Sequence, residues 1–251
     1  TKRITTDAAS PTRKSAVSST VGALAATNPT TLEAVLSHPK LLKALWGVVT
    51  SRSAASGAAL MAVFRVLGSV STASSALTLQ RGFPVAPLET LLTTMARNAN
   101  NTGDERERLV ALGLLLTMRP WLPDTPATIF PTNDDIVAIS NALAVAMAGG
   151  VLADWLPWSH ALSLALTTDP GKASTLLQSR RTNTFPVLVS LVAAPAASAA
   201  TKEAGARSLL VLLDTLLTLS DVELAKYPIS LNAVRALAAF EFPVPTSLNA
   251  D

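Results

Sequence analysis

The stretch Leu77–Arg119, LTLQRGFPVAPLETLLTTMARNANNTGDERERLVALGLLLTMR, decides the fold class. Pro87 opens a helix, because at the first helical position its missing N–H and fixed φ cost nothing. Leu88, Leu91, Leu92 and Met95 follow at i, i+3, i+4 and i+7, a single stripe that faces a core. A polar gap ending in Asn100-Asn101-Thr102-Gly103 separates this helix from a second one. So short a connection makes the two antiparallel neighbours. Asp104 and Glu107 have the spacing of a reciprocal cap at the second helix. From Leu109 to Met118 polar residues almost vanish, which predicts burial on nearly all sides, and Arg119 suits the negative end of the dipole.

Outward from this unit the pattern recurs. Pro39, Pro87, Pro131, Pro186 and Pro228 each stand at or just before an apolar helix, about 42–55 residues apart. Long apolar segments centred near Met61, Ala111, Leu162 and Val211 recur at about fifty residues. The segment 53–70 places Leu60, Met61, Phe64 and Leu67 on one face. Thr30 with Glu33, and Ser220 with Glu223, have capping-box spacing. Asp134 and Asp135 suit a helix N-terminus. In the segment 152–167 the central Pro157 predicts a kink or a break. No run of alternating strands appears.

A half-exposed helix, then a buried one, after the turn Arg81-Gly82-Phe83-Pro84, resembles an armadillo repeat. The chain as a whole is similar to the armadillo/HEAT helical-repeat families. That resemblance implies an all-α, right-handed solenoid of about four to five degenerate repeats. Residues 21–242 would form the repeat domain, residues 1–20 a polar, weakly basic arm, and 243–251 a C-terminal tail. The resemblance also implies a protein-interaction scaffold, since stacked repeats offer an extended concave surface. The Trp and Asn ladder of peptide-binding armadillo domains has no counterpart here, so extended-peptide capture is not expected.

Composition narrows the classes of function. Hydrophobic residues make up 49% and charged residues 15%, an apolar excess that favours close helix packing and surface covered by a partner. A net charge of +3 is too small to argue for nucleic acid. The chain has no cysteine, which excludes disulfides, thiolate metal sites and thiol nucleophiles. Its two histidines do not make a catalytic set: His38 precedes Pro39, and His160 follows Ser159, a neighbour that points elsewhere on a helix. Gly171-Lys172-Ala173 lacks the remaining parts of a phosphate loop. Asp134-Asp135 has no supporting metal ligands nearby. No cofactor or metal is expected, and no enzymatic activity.

The expected function is a non-catalytic protein-interaction scaffold, or a structural subunit of a larger multi-subunit assembly. Candidate partner-binding residues are Trp121, Trp155, Trp158, Arg65, Arg207 and Asp214, with packing favoured for at least two of the tryptophans. Glu203 and Arg207, four apart, form an ion pair on a polar stripe that continues to Asp214 and Thr218. The alternative is an RNA-associated helical subunit of an organellar ribonucleoprotein, with Arg3, Arg13, Lys14, Arg180 and Arg181 meeting phosphates. The uncharged runs 136–153 and 182–201 read as buried helices, not as membrane spans. An intracellular location, cytoplasmic or mitochondrial, is expected.

Overall fold

Proline sets where the first helices begin. The computed structural model describes residues 11–51, 55–70, 105–118, 131–179 and 183–219, which form ten helices and, among the described residues, no strand. Helices α1 (Pro11–Thr27), α2 (Pro29–Leu36) and α3 (Pro39–Thr50) each start on a proline. Asn28 caps α2, its side-chain oxygen accepting from the N–H groups of Thr30 at 3.0 Å and Thr31 at 3.3 Å. The expected Thr30–Glu33 box is therefore displaced by two residues. Pro29 is the reason: it forces Asn28 into extended backbone, the conformation that an N-cap needs.

Residues 11–20, expected as part of an arm, are helical. Ser18, Gly22 and Ala25 of α1 fall at i, i+4 and i+7 and are buried. A Cβ on Gly22 would lie 2.6 Å from Ala62 Cα, so the α1 and α4 backbones nearly touch. Small side chains permit that approach, and for the same reason the stripe gives no apolar periodicity.

Helix α4 (Ser56–Gly68) is buried from Ala59 through Gly68, not on one face alone. It is enclosed by α1, α3, α5 (Glu105–Met118) and α7 (Leu152–Thr168). Helix α5 is buried at every position from Leu109 to Met118, as its lack of polar residues predicts. Helix α6 (Asn133–Ala148) starts with a full capping box between Thr132 and Asp135. Helices α8 (Lys172–Gln178) and α9 (Thr184–Ala193) lead to α10 (Ala199–Leu217), which Ser198 caps by accepting from Thr201 N–H.

Helix α7 is the hub, packing against α1, α4, α5, α6 and α10. It continues through Pro157 without a break. Pro157 forfeits one backbone hydrogen bond, and its ring faces Gly68 of α4, where a Cβ would come within 2.8 Å. One turn deeper, Phe64 of α4 meets Trp158 of α7 edge to face, with ring centroids 4.7 Å apart at 68°. Gly113 of α5 leaves room for that pair, since a Cβ there would lie 2.9 Å from Phe64 Cζ. Such a pair adds about 0.5–1.5 kcal/mol beyond its area.

No described helix is long and apolar enough to cross a membrane. The helices expected after Pro87 and Pro228, the Ser220–Glu223 cap and the C-terminal tail lie outside the described residues.

Candidate functional site

Among the described residues, charge is buried at two places in the core, and both are paired. Arg65 of α4 donates from Nε to Asp154 Oδ1 of α7 at 2.5 Å. Arg108 of α5 donates from its guanidinium to Asp135 Oδ1 of α6 at 2.6 Å. Asp135 Oδ2 also accepts from the Thr132 N–H at 2.9 Å and the Thr132 hydroxyl at 2.8 Å. Burial alone raises the Asp135 carboxyl, but the Thr132 and Arg108 donors outweigh it and hold the group below the usual carboxylate range. These carboxylates fasten helices to one another. Among the described residues no three His, Cys, Asp or Glu side chains gather as a metal site.

The polar residues that reach an opening lie elsewhere. The C-terminal end of α4, the middle of α7 and the N-terminal half of α10 enclose a cleft of about 120 Å³, lined by Ser69, Leu156, His160, Ala200, Glu203 and Arg207 among others. His160 Nδ1 lies 3.1 Å from the Gly68 carbonyl oxygen. A carbonyl only accepts, so Nδ1 carries the proton of the neutral ring and Nε2 keeps its lone pair. Ser18 Oγ is the one buried side-chain polar atom without a partner among the described residues. His160 itself is half-buried and lines the cleft. Burial lowers the His160 pKa, the Gly68 bond partly offsets this, and Arg207 lowers it further against the opposing pull of Glu203. On the lip, Arg207 donates to Glu203 at 2.6 Å, the pair expected from their spacing, with both side chains largely exposed.

A second feature is apolar. Val145, Val151 and Leu152 are exposed around the turn from α6 to α7, Val145 by 72%. The turn is a Schellman motif: Gly150 takes φ +64°, its N–H donates to Met147 O at 3.1 Å, and the Val151 N–H donates to Ala146 O at 3.0 Å. Trp155 Nε1 donates to the same Ala146 oxygen at 3.1 Å. Three apolar side chains therefore stand on a corner whose backbone is fixed from two sides.

The expected contact residues fall into three groups. Trp155, Trp158 and Arg65 are buried in the described core, so a partner has no access to them while the fold is closed. Burial of two tryptophans agrees with the packing role favoured for them, whereas Arg65 is corrected from surface to core because α4 is enclosed on all sides. Arg207 and Asp214 are exposed on α10, and of these Arg207 lines the cleft. Arg13 and Lys14 sit in the first turn of α1, where Arg13 is exposed. Trp121, Arg3, Arg180 and Arg181 lie outside the described residues.

Sequence reasoning missed both the cleft and the corner. His160 and Arg207 are 47 positions apart and no spacing rule joins them. The corner did leave a signal: Gly149-Gly150-Val151-Leu152 after a helical run is the pattern of a Schellman end with a hydrophobic residue beyond the glycine. The chain matches no protein-family model, no curated protein and no solved structure.

Proposed function

We propose that this chain is a non-catalytic scaffold or structural subunit, docking a protein partner through the Val145–Val151–Leu152 corner. The observation that carries the reading is the corner itself. Singly exposed aliphatic residues are ordinary on protein surfaces, but three on one rigid turn offer a patch that a partner's apolar groove covers at little entropic cost.

An armadillo/HEAT-like origin is part of the proposal. In its favour, the long apolar helices α4, α5, α7 and α10 succeed one another at about fifty residues. They also pack in that order, α4 on α5, α5 on α7 and α7 on α10. Against an open right-handed solenoid, α1 and α4 also pack on α7, whereas stacked repeats touch only their neighbours. The form we favour is a repeat row folded back on its own first helices.

The test compares the wild-type chain with Val145→Asp/Leu152→Asp in native co-purification, with and without nuclease, read by mass spectrometry. A fixed protein set that survives nuclease and disappears from the variant, at unchanged thermal midpoint, is the expected outcome. Partners lost on nuclease treatment would favour the ribonucleoprotein alternative. Partners indifferent to both treatments would move the docking surface elsewhere.

A further inference from the structure

We propose that the cleft between α7 and α10 binds a small carboxylate, its carboxyl group held between Arg207 and His160 Nε2 and its short alkyl end against Leu156, Ala200 and Ala204. This site is independent of the docking corner, and either can fail without the other.

Size sets the first limit. The cleft measures about 120 Å³, less than the ~150 Å³ that accommodates a benzene ring, so the part of a ligand inside it has only a few heavy atoms. The lining sets the second. Leu156, Ala200 and Ala204 form an apolar wall, while Arg207, Glu203, His160 and Ser69 supply polar groups. The ligand therefore has one apolar end and one polar end.

Charge chooses the polar end. The charged groups that act on His160 are Arg207 and Glu203, both from α10. The end of α4 adds only the Gly68 carbonyl, already used by Nδ1, and Ser69, whose hydroxyl donates to Arg65 O at 2.7 Å. Asp154, also on α7, is engaged by Arg65. Glu203 accepts from one nitrogen of the Arg207 guanidinium, Nη2, so the other edge of the fork can meet an anion at the cleft. A guanidinium fork matches a carboxylate in two parallel hydrogen bonds. Nε2 completes the site by taking a proton from solvent as the anion enters, which gives it a charge-assisted bond to donate. Binding is thus coupled to uptake of one proton, and Glu203 competes for Arg207.

The chain has two histidines, which makes the experiment clean. The imidazole Hε1 signals of the full chain are followed by proton NMR during titration with butyrate and, separately, with phosphate, and His160→Gln assigns the peaks. Exposed His38, at the start of α3, is the internal reference. Millimolar butyrate is expected to shift the His160 signal saturably and raise its titration midpoint, leaving His38 in place. Arg207→Gln, at an exposed position, should abolish the response, and Glu203→Gln should tighten binding several-fold by removing the competitor. Parallel shifts of both histidines, an equal response to phosphate, an intact response in Arg207→Gln or weaker binding in Glu203→Gln would each overturn the proposal.

Discussion

Arg65 Nε and Asp154 Oδ1 are 2.5 Å apart although 89 positions separate them in the chain, and this bond ties α4 to the hub helix α7 inside the core. Each charge is tolerable there only because the other is present. Removing one partner leaves the second desolvated and unpaired, at a cost of about 3–5 kcal/mol. Asp154→Ala should therefore lower the urea midpoint severely. The double variant Arg65→Met/Asp154→Leu, which replaces both charges with apolar groups, should recover most of the loss. A double variant as unstable as the single one would mean that the pair contributes specific geometry beyond mutual neutralisation.

That pair also marks the limit of what the sequence conveyed. Helices α3, α5 and α10 are legible in proline position, apolar run and capping residues, because those signals are local. Arg65 offered no local sign of burial, and an isolated arginine in an apolar helix reads as the edge of an exposed face. Only the arrival of α7, with Asp154 in its first turn, makes its burial possible. The α1 stripe was hidden for a different reason: Ser18, Gly22 and Ala25 pack through smallness, not hydrophobicity. The His160 cleft depends on three helices from distant parts of the chain meeting, which periodicity cannot report.

Trp155 separates packing from recognition. It is buried and donates to Ala146 O, so truncation should cost stability before it costs association. Trp155→Ala is expected to destabilise by about 3–5 kcal/mol, as for other buried aromatic truncations. Trp155→Phe, which keeps one aromatic ring but loses the pyrrole half of the indole with its N–H, should cost less, about 1–2 kcal/mol. Equilibrium denaturation distinguishes these outcomes. Near-wild-type stability of the alanine variant would return Trp155 to the list of partner contacts.

Two glycines should respond to alanine with opposite sign. Gly150 holds φ +64° at the α6–α7 corner, a conformation that costs an L-residue about 1 kcal/mol or more. Gly150→Ala should lower the melting temperature and loosen the corner. Gly47 lies in exposed mid-helix α3, and a Cβ there meets nothing within 4 Å. Gly47→Ala should stabilise by about 0.5–1 kcal/mol through reduced freedom of the unfolded chain. Paired thermal melts of the two variants test the backbone of the corner against a neutral site.

Two groups should make stability fall on acidification. The folded pKa of His160 lies below its ordinary value of 6.5, mainly because the ring is buried. The unfolded chain therefore binds the proton first. Stability is full above about pH 6.5 and declines as pH falls from there to the folded pKa, with no further loss from this group below it. Asp135 acts lower. Its folded pKa is depressed below 3.8, so its contribution is present above that value and is lost as pH drops through the folded pKa. His160→Gln should flatten the first step and leave the second, while Asp135→Asn should do the reverse on a less stable background, because it weakens the bonds that the carboxylate accepts from Thr132 and Arg108. Urea midpoints measured from pH 8 to pH 3, in buffers free of carboxylates, give the comparison. A first step that persists in His160→Gln would assign it to another group and remove the ring at the cleft as the source of acid sensitivity.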